Sequence, residues 1–112
     1  MSFYTVIDTE LKEKRYIICA VEELKERGEI SEFELIEKND SIKIDRDGDI
    51  INVTRTKEGT FQVEGDARIV NAFSKRLKQL YAYSSIKENL PLDFEIVQEK
   101  ELGGEMKIVL KG

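Results

Sequence analysis

Asp45-Arg46-Asp47-Gly48-Asp49 places acidic groups at alternate positions, as a calcium loop does when it gathers oxygen ligands. The loop is not completed. An EF-hand has Gly at position six and Glu at position twelve, where this chain has Ile50 and Thr56. An Asp-Gly hairpin turn accounts for the same residues. Cys19 is the single thiol, and without any histidine no Cys-His nucleophile can be built. On a helical wheel Cys19 lies nearly opposite Val21, among Arg15, Glu22 and Glu23, so partial exposure is expected. Carboxylate pairs such as Glu22-Glu23, Glu34/Glu37 and Glu99/Glu101 are what a chain with 37% charged residues supplies by chance. Gly103-Gly104 precedes no helix and cannot cradle a phosphate. No set of nucleophile, base and orienting group can be assembled. The expectation is a protein that is not an enzyme and that uses no metal or cofactor.

The charge distribution is more informative. Ala67 to Lys87 contains Arg68, Lys75, Arg76, Lys78 and Lys87 and no acidic residue, within a chain of net charge -5. On a helix, Arg68, Lys75 and Lys78 share the face opposite Phe73, joined by Asn71, Gln79 and Ala82. Such a stripe is either a docking surface for an anionic partner or a solvated face whose charges pair with acidic loops. Nucleic acid is the weaker anionic partner, because an acidic chain lacks the broad basic footprint that phosphate binding needs. Tyr81 and Tyr83 diverge on the same wheel. Tyr81 is expected to belong with the core and Tyr83, beside Arg76 and Gln79, with the surface.

The elements that must position these residues follow from hydrophobic periodicity. Residues 3–11 read as a strand, with Phe3, Thr5, Ile7 and Leu11 on one parity. Glu13–Arg27 reads as a helix with Ile17, Val21 and Leu24 on its apolar stripe, stopped by Gly28. Glu32–Lys38, Ser41–Asp45, Asp49–Thr56 and Thr60–Glu64 read as an antiparallel meander, separated by Asn39-Asp40, Asp47-Gly48 and Glu58-Gly59. Asp66–Asn89 reads as a second helix, with Asp66 as N-cap and Pro91 preventing continuation. Its apolar face is expected to hold Ile69, Phe73, Leu77, Leu80 and Ser84, with Val70 and Tyr81 beside them. Asp93–Lys100 and Glu105–Lys111 form a last hairpin. The fold class is α+β, an antiparallel sheet with two helices in the order β-α-β-β-β-β-α-β-β.

An internal repeat is expected within one domain spanning 1–112. Glu32-Phe33-Glu34-Leu35-Ile36-Glu37-Lys38 resembles Asp93-Phe94-Glu95-Ile96-Val97-Gln98-Glu99, and Ile42-Lys43-Ile44-Asp45 answers Met106-Lys107-Ile108-Val109. The two strand-helix-strand-strand units, about 3–46 and 60–111, would complete one core by packing together. Phe73-Ser74-Lys75-Arg76-Leu77, Tyr81-Ala82-Tyr83, Phe94-Glu95-Ile96-Val97 and Met106-Lys107-Ile108-Val109-Leu110 carry a wider resemblance. The chain resembles the small conserved hypothetical reading-frame proteins of chloroplast genomes and cyanobacteria, which have bacterial and archaeal relatives. It departs from them in lacking a histidine after Met1-Ser2 and a tryptophan where Gly65-Asp66-Ala67 stands. The resemblance implies no reaction. It implies an accessory role beside an AAA-type ATPase, an association and not a mechanism.

The longest apolar run, Tyr16–Val21, is too short for a membrane span, and no signal-peptide pattern opens the chain. A cytoplasmic protein without membrane partners is expected. Abundant Glu and Lys with scarce Gln, Asn, Met and Cys fit a thermophilic origin. The functional expectation is an adaptor that docks an acidic protein surface through Arg68, Lys75, Lys78 and Tyr83. The alternative is a small-molecule sensor whose pocket, between the two repeats, is lined by Phe61, Tyr81 and Phe94. Exposed sheet edges favour a homodimer.

Overall fold

The computed structural model describes residues 4–89, 95–102 and 105–111, with side chains over 4–89. The elements are β1 (Tyr4–Asp8), α1 (Lys14–Glu26), β2 (Glu32–Ile36), β3 (Ser41–Arg46), β4 (Asp49–Arg55), β5 (Phe61–Asp66), α2 (Ala67–Glu88), β6 (Glu95–Leu102) and β7 (Glu105–Lys111). The α+β class and the element order are as the periodicity predicts. β1 is shorter than expected: its regular pairing ends at Asp8, although Thr9 still donates its N–H to the Phe61 carbonyl and the Leu11 carbonyl still accepts the Phe61 N–H of β5. β2 is also shorter. A single 3-10 turn over Glu37–Asn39 carries the chain to Asp40, whose left-handed backbone redirects it into β3.

β1 to β5 form one antiparallel sheet in the order β1-β5-β4-β3-β2. Register aligns Leu35, Ile42, Val53, Val63 and Ile7 in one row across all five strands. Alternation turns the neighbouring residues of each strand to the other face. The helices cover the apolar face alone. Ile17, Ala20, Val21 and Leu24 of α1 join Val70, Phe73, Leu77 and Leu80 of α2 over Ile42, Ile44, Ile51, Val53, Phe61 and Val63. Val70, not Ile69, is the fully buried residue of the first turn of α2, and Ser74 rather than Ser84 is buried further along. The apolar stripe is thus rotated by about one residue from the expected one, because α1 packs against one flank of α2.

Two glycines have distinct reasons. Gly28 takes a positive φ just past α1; its N–H donates to the Lys25 carbonyl and that of Glu29 to the Leu24 carbonyl. This is the Schellman arrangement, which only a residue tolerant of the left-handed region closes cheaply. Gly65 lies where a side chain would meet the Ile50 carbonyl oxygen at 3.0 Å and Val70 Cγ2 at 3.2 Å. Its bareness lets β4, β5 and the start of α2 approach closely.

The two halves share their order of elements but differ in pairing. β2 and β3 continue the main sheet, whereas β6 and β7 pair with each other in a two-stranded sheet, with a register irregularity between Ile96 and Gln98. Phe3, Pro91, Phe94 and Gly103-Gly104 lie outside the described residues.

Candidate functional site

α2 begins on Asp66, whose carboxylate accepts the Arg68 backbone N–H at 2.9 Å and the Arg68 guanidinium at 2.8 Å. The Arg68 guanidinium, followed by its backbone N–H, holds the Asp66 carboxyl below the ordinary range, and Asp66 raises Arg68 in return. From this cap the helical period sends Arg68, Asn71, Ala72, Lys75, Lys78 and Ala82 to solvent. The surroundings of the basic residues differ. Arg68 is 73% exposed but already bonded to Asp66. Arg76 turns toward Glu29, gripping both its oxygens from Nε and Nη2, because the Schellman turn after α1 delivers Glu29 to that point. The Lys87 ammonium sits 5.4 Å from the Tyr83 ring centroid. Lys75 and Lys78 form no ion pair with any described residue. The open positive charge on the face is therefore concentrated on these two lysines, a narrower stripe than the sequence suggests.

Tyr83 is a correction. It is buried, 9% exposed, with Arg27 and Lys87 over its ring, and belongs to the contact between the helices. The wheel places it beside Arg76 and Gln79 correctly, but it carries no information on which flank α1 covers. Tyr81 is half-buried against the core, as expected. Its ring meets Tyr16 edge-on at 5.5 Å, and its hydroxyl accepts the Glu13 N–H at 3.0 Å. Asn89 donates to the Tyr16 hydroxyl at 2.9 Å, so the start of α1 is tied to the end of α2. Phe61 is fully buried beneath the helices with Arg55 stacked on its ring, and none of the depressions described below includes it.

Surface depressions among the described residues include the following. The first, about 360 Å³, lies between the end of α1, the first half of α2 and the β3–β4 turn, and includes Leu24, Glu29, Arg46, Asp47, Phe73 and Arg76. Sequence reasoning missed it, because its walls come from three separate segments. The turn is legible: Asp47 and Gly48 both take positive φ, and Arg46 pairs with Asp49, a type I′ hairpin. Asp45 supports it by accepting the Gly48 N–H at 2.8 Å. The second depression runs between the helices along Cys19, Glu22, Glu26, Tyr83 and Lys87; Cys19 is exposed there, as expected. A shallower one of about 180 Å³ lies by β2 and β3 along Phe33, Glu34, Lys43 and Ile50. No three His, Cys, Asp or Glu residues among those described converge on a metal position, and no described helix is long and apolar enough to cross a membrane.

Compared with family models, with curated proteins and with solved structures, the chain has no match in any of the three. Geometry and charge are what bear on its function.

Proposed function

We propose that this protein is a non-enzymatic accessory protein that docks an acidic surface of a larger protein through the outer face of α2. Lys75 and Lys78 supply the charged contacts, and Arg68 stands at the rim with its charge already shared with Asp66. One observation carries the reading: α2 exposes two lysines without ion-pair partners among the described residues, on a helix face that has no carboxylate to offer them. In a molecule of net charge -5 such a patch orients an approaching acidic surface, raising the association rate more than the final affinity. The small exposed residues Asn71, Ala72 and Ala82 leave the face flat enough for a partner to approach. An AAA-type ATPase is the partner class that the family resemblance implies.

The test is capture of partners from host lysate by the wild type and by K75E/K78E, followed by titration of the purified partner at low and moderate salt. The reversed variant is expected to melt like the wild type and bind at least about tenfold more weakly, with the wild-type affinity falling as salt rises. Equal affinity of the two proteins for the purified partner would remove the reading.

A further inference from the structure

Arginines in this protein find carboxylates. Arg15 pairs with Glu88, Arg27 with Glu23, Arg55 with Asp40, Arg68 with Asp66 and Arg76 with Glu29. Arg46 is the exception: half-buried, it has no hydrogen bond or ion pair to a described residue, and it lines the 360 Å³ cleft. A guanidinium keeps its charge at every physiological pH and offers five donors in a fixed fork.

The other charged groups of the cleft determine what could satisfy it. Glu29 is occupied, since the Arg76 guanidinium holds both of its oxygens. Asp47 is half occupied: Oδ1 accepts the Ser31 hydroxyl at 3.2 Å, which leaves Oδ2 open. The end of α1 also borders the cleft through Leu24 and Gly28. Its carbonyl pole disfavours a bare anion and favours a cation. The open valences are thus one guanidinium and one carboxylate oxygen on consecutive residues, whose Cα atoms are about 3.8 Å apart. Because both residues line the same cleft, a small ligand carrying two opposite charges can meet them together. Leu24 and Phe73 supply an apolar floor, and the volume is at the small end of the range for small-molecule sites.

We propose that this cleft binds a small zwitterion of the α-amino-acid class, its carboxylate on the Arg46 guanidinium and its ammonium on Asp47. The site is separate from the lysines of α2 and does not rest on the docking role.

The test is titration of nitrogen-15-labelled full chain with glycine, leucine, glutamate and lysine, with acetate and methylamine as probes of one charge. At least one amino acid is expected to give saturable shifts at Arg46 Nε and at the Gly48 and Ala72 amides, with roughly tenfold or greater preference over either single-charge probe. R46Q should abolish these shifts while leaving the remaining amide spectrum in place, and D47N should weaken them about fivefold or more. Asn accepts the left-handed backbone of position 47, so the turn survives that change. Absence of saturable shifts with all four amino acids, undiminished shifts in R46Q, or acetate matching the best amino acid would each overturn the proposal.

Discussion

The outer basic groups of α1 and its C-cap are closed by carboxylates from around the fold: Lys14 reaches Asp40, Arg15 reaches Glu88, Lys25 reaches Glu32, and the C-cap Arg27 returns to Glu23. Those of α2 are closed at its margins by Asp66 and Glu29 and left open at Lys75 and Lys78. Inside, the two helices are alike, each burying an apolar stripe against the same sheet face. Their ends differ again. α2 has a side-chain N-cap, whereas Glu13 before α1 makes no side-chain cap bond, and α1 instead has the firmer C-terminal closure. Equal burial with unequal outer chemistry separates what holds the fold from what is available to a partner.

The shared interior carries the largest expected effect. Leu24→Ala and Leu77→Ala should each cost about 2–5 kcal/mol by denaturant unfolding, since both residues are essentially fully buried. A near-zero cost for either would show that its helix is not part of the common core. Next, Ser74 of α2 is buried, and its hydroxyl has no hydrogen-bond partner among the described residues. Ser74→Ala should raise stability by about 1 kcal/mol, by removing a dehydrated hydroxyl from the interior. A loss of stability would mean that the hydroxyl is satisfied. Charge reversal of Lys75 and Lys78 should then move stability by less than about 0.5 kcal/mol, as befits exposed side chains without partners. A larger change would make the face structural.

Acid sharpens the difference between the N-termini. The Asp66 carboxyl is depressed by Arg68, so its stabilisation of α2 is complete above the unfolded carboxylate range and is lost as pH falls through the lower folded value. In an NMR titration the Arg68 amide should shift across that acidic window. In the first turn of α1 no side chain accepts a backbone N–H, so its amides should shift less. Their shift should come through Asp40 alone, whose carboxyl is likewise depressed by its hydrogen bond from the Lys14 side chain.

Much of this was legible in the sequence because it is local. Gly28 and Asp66 mark the helix ends through backbone conformations and bonds that span a few residues, and Asp47-Gly48 marks its hairpin likewise. The exposed face with Lys75 and Lys78 follows from helical period alone. What escaped depends on how elements meet. Tyr83 and the exchange of Ile69 for Val70 depend on the flank that α1 covers. The separation of β6 and β7 from the main sheet depends on pairings that alternation leaves open. The Arg46 cleft was illegible for the same reason, since Leu24, Arg46 and Phe73 are far apart in the chain.

The position of β1 beside β5 has a consequence for how the protein is made. Within the five-stranded sheet β2 to β5 join neighbours in the chain, but Tyr4 must find Asp66, so β1, the earliest of the five in the chain, is the last of them to gain a partner. At roughly 5–20 residues per second, translation delays that pairing by several seconds. During the delay Tyr4-Thr5-Val6-Ile7 is a short, largely apolar segment whose backbone groups are not yet paired with a strand, the kind of segment a nascent-chain chaperone shields. Closing so long a loop also makes the docking of β1 a late event in refolding, after the meander has formed.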